Sequence, residues 1–113
     1  MKREFSREAS RRDKDSLRTL VRALCADYGR RSKHIRAADT SRRVRMEHQY
    51  LNGRIFEAAA EICGSALAES FILEIGEERG YAGSDISVLS ETAYKKYKAE
   101  IRLNIARKLH LAD

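Results

Sequence analysis

The sequence has no proline and no tryptophan, and among its 113 residues it has only six glycines, two cysteines and 7% aromatic residues. So few turn formers and aromatics exclude a β-sandwich or barrel, which needs many of both. Two cysteines exclude a disulfide scaffold. Cys25 and Cys63 stand far apart and outside any CxxC or Cys/His metal spacing, so they read as buried free thiols of a reducing compartment. His34, His48 and His110 are equally scattered, and His48 reads as a packed histidine rather than a ligand. There is no long apolar run. Residues 55–75 come nearest, but Glu57, Glu61, Glu69 and Glu74 interrupt them at a depth where carboxylates are too costly. The opening MKREFSREASRRDKDS also lacks the apolar stretch of a secretory leader. These absences imply a cytoplasmic protein with no membrane partner.

What is present is charge. Residues are 42% hydrophobic and 35% charged, enough apolar content for one folded domain. Lys and Arg total 23 against 17 Asp and Glu, a net charge of +6. The excess is segregated: residues 1–54 carry +9, residues 55–91 carry −7 and residues 92–113 carry +4. Basic ends around an acidic middle suit a polyanion-binding surface, since arginine forks match phosphate oxygens. They also suit a solvated, highly charged surface, or an acidic middle docked on a basic end.

Hydrophobic periodicity predicts an all-α compact bundle of four main helices plus one short helix. Residues 1–12 read as a basic arm with a single large apolar residue, Phe5, or as a first helical turn that orders only on binding, ahead of one helical domain over 13–113. A first helix is expected from Asp13 to Tyr28 on the stripe Leu17, Leu20, Val21, Leu24 and Tyr28, with Gly29 as its stop. Arg30, Arg31, Lys33 and Arg36 then read as a basic connection around Ile35. A second helix should start at Asp39 or Thr40 and run to Cys63, ended by Gly64, with Val44, Leu51, Ile55 and Ile62 on its buried side. Met46, Tyr50 and Phe56 lie on its other faces, as in a central helix or a dimer contact. A third helix is predicted from Ser65 to Arg79 with Gly80 as its stop. Gly76 inside it marks close packing or a bend. Ser84–Leu89 reads as a short helix, and Ser90 caps a last helix from Glu91 to Leu109 that buries Tyr94, Tyr97, Ile101, Ile105 and Leu109. Leu103 points away from that stripe.

No catalytic constellation appears: there is no GxSxG, HExxH or paired-cysteine motif. The i,i+4 pairs Glu57/Glu61 and Glu74/Glu78 lack the Glu-x-x-His steps of a helical carboxylate metal site. The expectation is therefore no enzyme, no cofactor, no metal and no small-molecule substrate. Residues 80–113 outline a helix-turn-helix-like unit instead. Its last helix would turn Thr92, Lys95, Lys96 and Ala99 toward a DNA groove, with Ser90 at a phosphate-binding helix start. Lys98 and Arg102 on the same helix, and Arg42, Arg43 and Arg45 on the second, complete the candidate DNA-binding set. The competing reading of that helix is an ordinary lysine-rich amphipathic one.

The run Leu89-Ser90-Glu91-Thr92-Ala93-Tyr94-Lys95-Lys96-Tyr97-Lys98, with Ile105-Ala106-Arg107-Lys108-Leu109 after it, resembles the end of phage-encoded, sigma-region-4-like transcriptional activators of the ArpU/RinA type. Cys25-Ala26-Asp27-Tyr28, followed by basic residues and Ile35, is similar to a stretch near their N-termini. The likeness implies a phage or mobile-element transcription regulator that binds double-stranded DNA through the Ser90–Lys98 helix, with RNA polymerase or a second copy as protein partner. One departure stands out: Ile86 and Ser90 are four apart with no glycine between them, where the family has a longer spacing. The alternative from another class is a non-catalytic helical assembly or adaptor protein.

Overall fold

A computed structural model describes the backbone of residues 2–86 and 88–111 and the side chains of residues 14–86 and 88–111. The described residues form five α-helices: α1 (Lys2–Ala26), α2 (Tyr28–Arg36), α3 (Arg42–Cys63), α4 (Ser65–Glu77) and α5 (Glu91–Lys108). A single 3-10 turn, Tyr81–Gly83, lies between the last two, and no strand occurs among the described residues. The all-α bundle of four main helices and one short one is as the periodicity implies. The short helix, however, is Tyr28–Arg36.

The differences at the N-terminal end have local causes. α1 begins at Lys2, so residues 2–12 continue the helix instead of forming an arm; Met1, the Phe5 side chain and the basic side chains of this segment lie outside the described ones. No proline or glycine occurs from Lys2 to Ala26, and good helix formers dominate. The break falls at Asp27 rather than Gly29, and the basic connection is helical. Asp27 holds Arg30 through two hydrogen bonds, at 2.6 and 2.5 Å, across the first turn of α2. Ser41, not Asp39 or Thr40, caps α3 by accepting a hydrogen bond from the Val44 amide at 3.3 Å.

Gly64 ends α3 as expected, at a φ of 85° that disfavours any side chain. α4 stops at Glu77, two residues short of the expected end at Arg79, and Glu78 takes the left-handed conformation there. None of the described residues in the predicted helix over 84–89 is helical. Ser84 accepts a hydrogen bond from the Ile86 amide at 2.9 Å, a local turn that competes with helix, while Ile86 is still buried; Ser87 lies outside the described residues.

The core joins Val21 and Cys25 of α1, Ile55, Ala58 and Ala59 of α3, Phe71, Ile72 and Ile75 of α4, and Tyr94, Ile101 and Ile105 of α5. Two stripe residues are exposed instead. Leu20 sits at the edge of the side of α1 that α4 and α5 cover, and Val44 lies beyond the end of α5. Leu103 is exposed as predicted, on a groove lined also by Leu17 and Ala106.

The two thiols differ. Cys25 is fully buried and its pKa is pushed up to about 12, chiefly by burial, whereas Cys63 is only half-buried, also raised by burial. A thiol reagent at neutral pH should therefore label Cys63 slowly and Cys25 only on unfolding. Titration of the native protein checks this, and rapid labelling of both would contradict the packing of α1.

Candidate nucleic-acid interface

Helix α5 begins at Ser90, whose hydroxyl accepts a hydrogen bond from the Ala93 amide at 3.2 Å. Glu91 in the first turn complements the helix dipole and pairs with Lys95 at 3.1 Å. The rear of the helix is locked. The Tyr94 ring stacks on Phe71 at 5.5 Å between centroids and meets Tyr81 edge-on at 5.4 Å. Its hydroxyl donates to Glu74 at 2.7 Å and lies 3.2 Å from the Arg79 carbonyl. Burial first, then the Glu74 carboxylate, pushes the Tyr94 pKa up to about 12. Tyr81 in turn donates to the Leu89 carbonyl at 2.8 Å and so fixes the approach to Ser90. Thr92, Lys95, Lys96 and Ala99 are all exposed on the opposite side, as the periodicity places them.

Three other candidates do not share that exposed strip. Lys98 is only 8% exposed, because its position turns inward toward the end of α4. Its ammonium donates to the Arg79 carbonyl and lies 5.6 Å from the centre of the Tyr94 ring. Arg102 is half-buried between α1 and α5. Arg45 ties its guanidinium to the carbonyls of Ala37 at 2.9 Å and Thr40 at 3.3 Å, holding the turn between α2 and α3. Arg42 and Arg43 are exposed, the latter paired with Glu47 at 3.2 Å.

The two predicted groups also fall at opposite ends. Asn104 donates to the Ala58 carbonyl and to Glu61, both at 2.9 Å. Lys108 reaches Glu57 at 3.1 Å, and Arg54 donates to the Lys108 carbonyl at 3.3 Å, so α5 runs antiparallel to α3. Counting the helical rise outward from this contact puts Arg42 and Thr92 about 40 Å apart, within a molecule 56 Å long. They do not form one patch. Arg18, Arg22 and Arg79, absent from the predicted set, lie instead beside Lys98 and Arg102. The sequence signal was the basic i,i+4 step Arg18/Arg22 matched by Lys98/Arg102, legible only once α1 and α5 are neighbours.

The described residues hold no cluster of three or more metal-ligating side chains and no helix long and apolar enough to cross a membrane. His34 and His48 meet with ring nitrogens 3.4 Å apart, a pair without further ligands. No family model, curated protein or solved structure matches the chain.

Proposed function

We propose that this protein is a small non-catalytic DNA-binding regulator of transcription, of the phage or mobile-element kind to which its C-terminal sequence is similar. The observation that carries the reading is the exposed strip Thr92, Lys95, Lys96 and Ala99 on a helix whose other side is held by Tyr94, Ile101 and Ile105. A rigidly backed helix whose outward side carries Thr92, Lys95, Lys96 and Ala99, with Glu91 paired to Lys95 and Glu100 also exposed, can present polar and basic groups to a major groove. The lysines contact phosphate and Thr92 and Ala99 lie against base edges. Ser90 and the first amides of α5 add a phosphate-binding end. The connection before α5 departs from a standard helix-turn-helix, so α5 is presented by α3, α4 and the Tyr81 hydrogen bond instead of by a short preceding helix.

A salt titration of binding to a mixed-sequence duplex tests this. Wild-type affinity should fall steeply with salt, with a slope of about −0.9 for each phosphate neutralised. Lys95→Glu/Lys96→Glu should weaken binding by at least about tenfold and flatten the slope by about two. Binding that is absent at low salt, or unchanged in the double variant, would overturn the reading.

A second reading, a helical assembly or adaptor protein, draws on Met46 and Tyr50. They are 57% and 67% exposed and one turn apart on α3, while Phe56 packs against the core. Sedimentation of wild type beside Met46→Ser/Tyr50→Ser discriminates: an oligomer that dissociates in the variant, with no duplex binding by wild type, favours assembly.

A further inference from the structure

Helices α1 and α5 meet near the end of α4, and each brings two cations one helical turn apart to that place. Arg18 and Arg22 come from α1, Lys98 and Arg102 from α5, and with Arg79 they line a recess of about 260 Å³. Glu78 is the acid on its wall. The positive charges are unequally matched. Glu78 lies 3.3 Å from Arg22, and Arg79 is held by Glu77 at 2.6 Å and Asp85 at 3.1 Å. Lys98 donates to the Arg79 carbonyl, and the buried Glu74 behind it already accepts from Tyr94. Among the described residues, no carboxylate forms a direct ion pair with Arg18 or Arg102 and no acceptor hydrogen-bonds to either, Glu78 acting on Arg102 only at longer range.

Like charges brought together and partly desolvated repel, and here the repulsion registers on the groups themselves. Burial foremost, and then the charge of Arg18, lowers the pKa of Arg102, with Glu78 acting weakly in the opposite sense; burial foremost, and then Arg102, lowers that of Lys98 against the smaller opposing effects of Glu74 and Glu78. Such an arrangement is stabilised by an anion that fills it. Two guanidinium forks and an ammonium converging on one recess match a tetrahedral oxyanion, which accepts several charge-assisted hydrogen bonds at once.

We propose that the recess between α1, α4 and α5 binds a phosphate-type oxyanion, held principally by Arg18 and Arg102 with Lys98 behind them. The site is separate from the outer Lys95–Lys96 strip and stands whether or not the duplex binds there. Its occupant is a phosphate group, either of a small free ligand or of a nucleic-acid backbone.

Calorimetric titration with inorganic pyrophosphate at constant ionic strength, against sodium chloride, tests the proposal. Wild type should bind at one site, and Arg18→Gln and Arg102→Gln should each weaken binding by about tenfold or more. Lys33→Gln, an exposed base on α2 outside both the recess and the Lys95–Lys96 strip, should leave it unchanged. Arg18→Gln removes a repulsion, so its thermal midpoint without ligand should equal or exceed that of wild type, separating lost binding from lost folding. Pyrophosphate that displaces a bound mixed-sequence duplex, with Arg102→Gln weakening the duplex in step, identifies a backbone phosphate. Pyrophosphate that binds without disturbing the duplex identifies a small free ligand. Either result upholds the site. No binding of pyrophosphate beyond chloride, or equal affinity in Arg102→Gln, overturns it.

Discussion

Gly76→Ala is expected to destabilise the protein by about 3 kcal/mol, against the usual direction of glycine-to-alanine change in a helix. Intrinsic propensity alone would favour alanine by about 1 kcal/mol. The opposite sign follows from where Gly76 lies. A Cβ built there would stand 2.6 Å from the Ala26 amide nitrogen, 2.7 Å from the Ala26 Cα and 2.7 Å from the Cys25 carbonyl carbon. These are backbone atoms at the end of α1, and no rotamer change can move them aside. Accommodating the methyl means shifting α1 off α4 and opening the contacts of Val21 and Cys25, an overpacking that costs about 1–3 kcal/mol or more. Gly53→Ala is the control, because a Cβ at that exposed helical position meets nothing within 4 Å. It should stabilise by about 0.5–1 kcal/mol. Urea unfolding of the two variants beside wild type measures both. A Gly76→Ala protein as stable as Gly53→Ala would refute the close approach of α1 and α4.

Arg31→Met should cost about 3 kcal/mol, because Arg31 is a hub and not a surface charge. It is 3% exposed, although its neighbours Arg30 and Lys33 face outward. Its Nε donates to the Asn52 side-chain oxygen at 2.6 Å, one terminal nitrogen donates to the Leu24 carbonyl at 2.5 Å, and the other lies 3.4 Å from Asp27. Asn52 then donates to the Tyr28 carbonyl and to the Ser32 hydroxyl, both at 3.1 Å. One fork thereby ties α1, α2 and α3 together at the kink. Methionine fills similar volume but leaves the Leu24 carbonyl and Asn52 oxygen without their donor, each worth about 1–3 kcal/mol when buried. Arg31→Lys should recover little, since an ammonium cannot span three acceptors set for a planar fork. A double-mutant cycle with Asn52→Leu should give a coupling of about 1–2 kcal/mol. Simple additivity would mean that the pair acts separately.

The burial of Arg31 is not written in its local pattern. In the chain this arginine is one of four bases in a row of polar residues and reads as a solvated connection. Only the packing of α3 against α2 makes it internal. Lys98 is the same case on α5. Its sequence neighbours Lys95 and Lys96 are exposed as periodicity predicts, but the end of α4 covers Lys98. The missing short helix has a different origin: Ser84 bonds to the Ile86 amide and diverts the chain locally, a choice open to serine in either a cap or a turn.

By itself the sequence determined the all-α class, the C-terminal end of α3 at Gly64, the start of α5 at Ser90, the inward stripe of α5 and the exposure of Thr92, Lys95 and Lys96. These features rest on forces that act within one or two helical turns: capping hydrogen bonds, backbone conformational preference and the 3.6-residue period. Only the tertiary structure decided which cations are buried, that Gly76 is the contact point of two helices, that Arg42 and Thr92 lie far apart, and that Arg18 and Arg102 face one recess. The fate of a charge depends on what packs over it. That partner is dozens of residues away, where no local pattern reaches.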